Sequence, residues 1–143
     1  MRIGMDVLII LNTLSRERYR YVLILVDQAS KYAWVYPLES RDDESVLENL
    51  KQFLDKDFPA YVLGVKLQHM HSDGGAELVS DKILTFLNQR GISTSHTPRD
   101  TPEMNSTVER RVRDIKECTL SMLLHSGLPV PFWWLAFGRQ CIS

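Results

Sequence analysis

Apolar residues gather at the start of the chain into three dense runs, 3–11, 20–27 and 31–38, the last carrying Tyr32, Trp34 and Tyr36. Polar clusters separate them, Ser15-Arg16-Glu17-Arg18 and Asp27-Gln28-Ala29-Ser30. Runs of this length, rich in Val, Ile and aromatics and bounded by turn formers, predict strands. Their short connections predict an antiparallel meander, with Pro37 ending the third strand or holding it at an edge.

The period then changes. Between Asp42 and Lys56, Val46, Leu47, Leu50, Phe53 and Leu54 recur at helical spacing, with Asp42 or Asp43 placed to cap. A fourth strand is predicted over 65–72 and a helix over 80–90, between Ser80-Asp81 and Gly91. Ile92 to Thr97 reads as a fifth strand. Thr101-Pro102 opens a long helix to about His125, stopped by Gly127 and Pro129, and a last helix starts near Pro131. The order predicts an α/β domain: a five-stranded mixed sheet flanked by helices, antiparallel part first.

Composition narrows the class. A chain of 143 residues fits one domain with its own core, and 44% hydrophobic against 24% charged residues excludes a disordered tail. The N-terminal apolar run Val7–Leu11 is too short to cross a bilayer or to form an ordinary signal core. A net charge of -1 gives no global attraction to a polyanion, so any nucleic-acid contact must rest on a local basic face. Cys118 and Cys141 form no Cys-x-x-Cys pair, which excludes a cysteine zinc site and predicts reduced, buried thiols.

Three carboxylates stand out. Asp6 lies in an otherwise apolar strand, where an ionised group needs a partner, a solvent-facing end or a metal. Asp73 closes the fourth strand in His71-Ser72-Asp73-Gly74-Gly75, which suits a tight turn and also a strand-end site. Glu109 lies on the long helix, between an apolar stripe (Val108, Val112, Ile115, Thr119, Met122) and a polar one (Asn105, Glu109, Arg113, Lys116), with Arg110 and Arg111 beside it. Its ordinary role would be a surface pair with Arg113 at i+4. Carboxylates from two strands and a helix can also converge on hard divalent ions, two of which stabilise both oxygens of an in-line phosphoryl transfer.

Thirty-five residues separate Asp73 from Glu109. With Asp6, this resembles the D,D-35-E signature of retroviral and retrotransposon integrases, and the copia-type elements above all. Tyr21–Leu38 is similar to that family's strand pair, Ser72-Asp73-Gly74-Gly75-Ala76-Glu77 to its SDNGGE block, and Asn105-Ser106-Thr107-Val108-Glu109-Arg110 to its NGVAER block. Ser126-Gly127-Leu128-Pro129 and Phe132-Trp133 resemble its A-x-LP-x-x-FW ending. The chain departs from the pattern at Val7-Leu8-Ile9, where a Gly-Pro commonly follows the first Asp, and at Gly74, Ala76 and Ser106.

The resemblance implies a ribonuclease H-like fold with Asp6, Asp73 and Glu109 as catalytic, metal-binding carboxylates. It further implies Mg²⁺ or Mn²⁺, two ions, as cofactor. The expected DNA contacts are Asn105, Arg110, Arg113 and Lys116, serving element ends and target DNA. The expected reaction is transesterification of DNA 3′ ends into target DNA, in the nucleus, reached from a cytoplasmic particle. Residues 1–143 would be the single catalytic core domain, without the His/Cys zinc-binding N-terminal domain and the C-terminal domain of a full-length integrase. Rival readings are an integrase-like domain kept for DNA or protein binding without catalysis, and a nuclease of the same fold.

Other residues have plainer expectations. His69 and His71 share strand parity with Asp73 but lack the fourth ligand of a closed zinc site. Asp27 is expected to cap its turn and Glu77 to cap or pair near the next helix, while Trp34, Trp133 and Trp134 are expected in core or interface packing. Lys66, Arg90 and Arg99 read as solvated charges. The apolar excess of Leu120, Met122, Leu123, Leu124, Phe132, Trp133 and Trp134 predicts at least a homodimer through helices flanking the sheet.

Overall fold

The computed structural model describes residues 1–9, 15, 18–72, 78, 80–96 and 102–138, with the backbone alone at 102–105, 107, 137 and 138. Strands β1 (Arg2–Leu8), β2 (Tyr21–Asp27) and β3 (Ala33–Leu38) form the expected antiparallel meander. Parallel pairing then adds β4 (His69–Ser72) beside β1 and β5 (Ser93–His96) beside β4, in the order β3-β2-β1-β4-β5. Pro37 lies on the edge strand, where a missing N–H costs no ladder bond.

Strand alternation divides the core. Ile3, Met5 and Val7 of β1, with Leu23 and Leu25 of β2, face a core shared with α1 (Asp43–Gln52) and α3 (Asp81–Gln89) through Val46, Leu50, Ile83 and Leu87. Val22, Ile24 and Val26 face the other way, onto Val108, Ile115 and Leu123 of α4 (Pro102–Ser126) and Trp133 of the closing helix α5 (Trp133–Gly138). Helices thus cover both faces of the sheet.

The caps behave as their chemistry demands. Asp42 accepts from the Ser45 amide at 2.7 Å and opens α1, and Ser80 does the same for α3 through the Ile83 amide. Gly127 ends α4 at φ 66°, a left-handed conformation that a Cβ would strain. Three expectations shift. The helix predicted over 42–56 runs on through a π turn (Phe53–Asp57) into a short α2 (Phe58–Tyr61). The widened turn comes just before Pro59, whose ring would crowd a regular helix. The fourth strand starts only at His69, with the Gln68 backbone bonded to Met1 and Ser93 just before it, and β1 ends at Leu8. Residues 10 and 11 of its predicted span lie outside the described residues.

Candidate active site

Asp6 opposes Ile24 and Gly4 opposes Val26 across β1 and β2. Directly opposed residues share a face, so Asp6 and Gly4 project toward α4, the side on which Ile24 and Val26 meet Val108. Asp6 is half-buried there, near the end of β1. Val108 sits in the hollow left by the missing side chain of Gly4: a Cβ on that glycine would come well within 3.0 Å of Val108 Cγ2. The helix therefore lies on β1 two residues from Asp6, about 7 Å along the strand. Glu109, next to Val108, is exposed. Among the described residues no ion pair joins it to Arg113, so the surface pair open to it in sequence is not made.

Asp73 lies outside the described residues, as do Glu77 and Arg99. Ser72, which precedes Asp73, is the parallel register partner of Met5, which precedes Asp6. Among the described residues no group of three or more His, Cys, Asp or Glu could hold a metal ion. Asp6 and Glu109 are therefore the two expected ligands whose positions are defined; both are oxygen donors suited to a hard cation, and both belong to the α4 side of the sheet.

The histidines beside this site are otherwise engaged. Arg2 and Gly4 are the register partners of His69 and His71, so both imidazoles also face the α4 side. Ser95 Oγ lies 2.7 Å from His69 Nε2 and 2.7 Å from His71 Nδ1, and Ser93 Oγ lies 2.8 Å from His69 Nδ1. The Ser93 hydroxyl donates to the Gln68 carbonyl, so it accepts from His69 Nδ1–H. Neutral His69 then accepts a hydrogen bond from the Ser95 hydroxyl at Nε2, and Ser95 accepts from His71 Nδ1–H. Burial, then the charges of Arg2 and His71, hold the His69 pKa below its ordinary value. Both nitrogens of His69 are thus spent on serines and cannot ligate a metal.

Asp27 closes its turn as expected, accepting from the Ala29 amide at 3.2 Å and from the Ser30 amide and hydroxyl at 3.0 and 2.6 Å. Trp34 and Trp133 are core residues, and Arg90 pairs with Asp55 over the Phe86 ring. On α4, Arg110 and Arg113 are exposed and Lys116 half-buried, while Asn105 has only its backbone described. Arg111, grouped by sequence with the basic face, is half-buried, and its enclosed Nε has no hydrogen-bond partner among the described residues.

Three further expectations are corrected. Leu123 completes the apolar stripe of α4, and Met122 is exposed: Val108, Ile115, Thr119 and Leu123 are the buried positions, spaced as one helical face requires. Of the apolar residues taken as surplus, Leu123 and Trp133 belong to the core, and Leu120, Met122 and Leu124 remain exposed. Cys118 is a free thiol but an exposed one, one position before the buried Thr119; Cys141 lies outside the described residues.

Residues 2–102 match the model of the integrase core domain. The chain belongs to the integrase core domain family. The matched stretch contains Asp6 and Asp73 and stops short of Glu109. Among curated relatives, this integrase core is 34% identical over 126 residues to the retrovirus-related Pol polyprotein from transposon RE1 of Arabidopsis thaliana, covering 87% of the chain and 8% of that protein. It is 31% identical over 123 residues to the corresponding polyprotein from transposon TNT 1-94 of Nicotiana tabacum, covering 85% and 9%. The chain thus spans less than a tenth of the length of these relatives. The solved catalytic core domain of BIV integrase superposes with a TM-score of 0.66 at 17% identity, covering 95% of this chain and 80% of that one. The fold is therefore ribonuclease H-like.

Proposed function

We propose that this chain is the catalytic core of a retroelement integrase, which joins DNA 3′ ends to target DNA by transesterification. The observation that carries the reading is the common location of Asp6 and Glu109: Gly4 and Val108 bring α4 down on β1 beside Asp6, on one side of the sheet. The Ser72–Met5 register supports Asp73 as the third carboxylate. Oxygen donors on a family scaffold that generally uses divalent metals fit Mg²⁺ or Mn²⁺, in a pair.

Asp6, Asp73 and Glu109 would hold the metal, which would supply charge stabilisation to an in-line displacement. The residues of the chain do the rest. Asp6, Asp73 and Glu109 hold the site in place, and Arg110, Arg113, Lys116 and Asn105 bind phosphates and fix the register of the DNA without reading bases. In the reaction the 3′-hydroxyl oxygen bonds to a target phosphorus, the target's own 3′-oxygen leaves with a proton, and the number of phosphodiesters is unchanged. No nucleotide cofactor is needed.

The exposed Leu120, Met122, Leu124, Leu128, Val130 and Leu135 support a homo-oligomer, at least a dimer, through the end of α4 and the segment after it. Light scattering at micromolar concentration that finds monomer alone would remove that part. Target DNA sets the place of action in the nucleus. No helix among the described residues is long and apolar enough to cross a membrane.

Glu109→Gln tests the site, since it nearly keeps shape while removing charge. Joining with Mg²⁺ or Mn²⁺ is expected to be lost, with thermal stability in metal-free buffer unchanged or raised, because a like charge leaves the cluster. Wild-type joining by the variant would overturn the assignment. A wild-type chain that folds but binds no Mn²⁺ would favour a binding role without catalysis.

A further inference from the structure

We infer that Gly4 is a positioning residue for the active site: its bare Cα is the seat of Val108, and this contact sets how closely α4, and with it Glu109, approaches Asp6. The inference rests on the carboxylate reading above and adds a residue to it.

Around Gly4, the positions of β1 and β2 that face α4 carry side chains, among them Asp6, Val22, Ile24 and Val26. At Gly4 a helix side chain, that of Val108, occupies the space above the strand backbone. An ideal Cβ there would meet both Val108 Cγ2 and, at 3.9 Å, Val108 Cβ. The backbone of Gly4 is not in the left-handed region, which among the described glycines holds Gly64, Gly91 and Gly127. Glycine is therefore not required here for its φ, and alanine could adopt this backbone. What alanine cannot do is share the space with Val108. Carbon contacts are optimal near about 3.5–4.0 Å, so relief requires strand and helix to separate by roughly 1 Å.

Val108 has little freedom to yield. It is a β-branched residue with one strongly preferred helical rotamer, buried among Ile24, Val26 and Ile115. The displacement therefore passes to α4 as a body, and Glu109 is the next residue. Metal ligands tolerate errors of about 0.2 Å, and altered supporting residues typically cost about 10–100-fold in metal affinity. A 1 Å retreat of one carboxylate belongs in that range.

The test is a double-mutant cycle on the full chain with Gly4→Ala, Val108→Ala and both together. Each is measured for Mn²⁺ affinity, thermal midpoint in metal-free buffer and the Gly4–Val108 approach, read from nuclear Overhauser contacts between the residue 4 α-proton and the residue 108 methyls. Gly4→Ala is expected to weaken Mn²⁺ binding about 10–100-fold and to weaken those contacts. The double variant, with room restored, is expected to recover most of the affinity. A general packing defect would instead lower affinity only in step with stability, with no rescue. Wild-type affinity and spacing in Gly4→Ala would overturn the inference. So would a double variant as stable as wild type that still bound Mn²⁺ as weakly as Gly4→Ala. Should Gly4→Ala fail to fold, the double variant decides alone: folded with near wild-type affinity supports the seat, folded with weak affinity refutes it. Should the wild type bind no Mn²⁺, the carboxylate reading falls, and the spacing measurement still decides the role of Gly4.

Discussion

Asp27 and Glu109 offer a direct contrast between a carboxylate that holds the fold and one proposed to hold a metal. Asp27 is buried and accepts three hydrogen bonds, from two amides and a hydroxyl of the turn joining β2 to β3. Asp27→Asn keeps its size but turns one acceptor into a donor that faces other donors. Hydrogen bonds to a charged group are worth about 1.5–3 kcal/mol each. They do not add fully here, because Ala29 and Ser30 are exposed and water can replace part of what is lost. A net cost of about 2–3 kcal/mol is expected, and at roughly 2–4 °C per kcal/mol the midpoint should fall by about 5–10 °C. Thermal unfolding by circular dichroism, in EDTA and in Mn²⁺, measures this directly. Mn²⁺ affinity below the transition should stay at the wild-type value. A variant that melted at the wild-type temperature and lost Mn²⁺ binding would refute the argument, because Asp27 would then be a ligand and not a turn cap.

Trp133→Ala should cost about 3–5 kcal/mol, since Trp133 is fully buried between α4 and β2; chemical denaturation reads it, and a loss below 1 kcal/mol would show that α5 does not complete the core. Changing Arg110 and Lys116 together to Glu should weaken DNA binding and flatten its salt dependence by about two counterions, each replaced cation contributing about one; an unchanged salt slope would move the DNA interface off α4. His69, whose folded pKa lies below the ordinary 6.5, binds protons more weakly folded than unfolded. Its contribution is therefore complete above the ordinary histidine range and is lost as pH falls from there through the folded pKa. The midpoint of the wild type should drop more steeply from pH 7.5 to 5.5 than that of His69→Gln, and parallel curves would contradict the serine–histidine ladder.

Much of this molecule was legible in its periodicities. The apolar run over residues 3–11 marked a strand with Asp6 set inside it, and helical spacing in α4 marked Val108, Val112, Ile115, Thr119 and Met122 as one stripe. These are local signals, since the side-chain direction of an element follows from its own backbone geometry. The spacing from Asp73 to Glu109 and the blocks around both pointed to the family before any fold was known. Other features depend on which elements meet. Met122 and Leu123 are equally apolar neighbours, and only the seating of α4 on β2 and Trp133 buries one and exposes the other. The engagement of His69 and His71 by Ser93 and Ser95 depends on the register of β4 against β5, a pairing across more than twenty residues. Gly4 is the clearest case. In sequence it is one glycine in an apolar strand, and its value arises only where a helix a hundred residues later crosses the strand closely enough for a single methyl group to occupy the space it leaves.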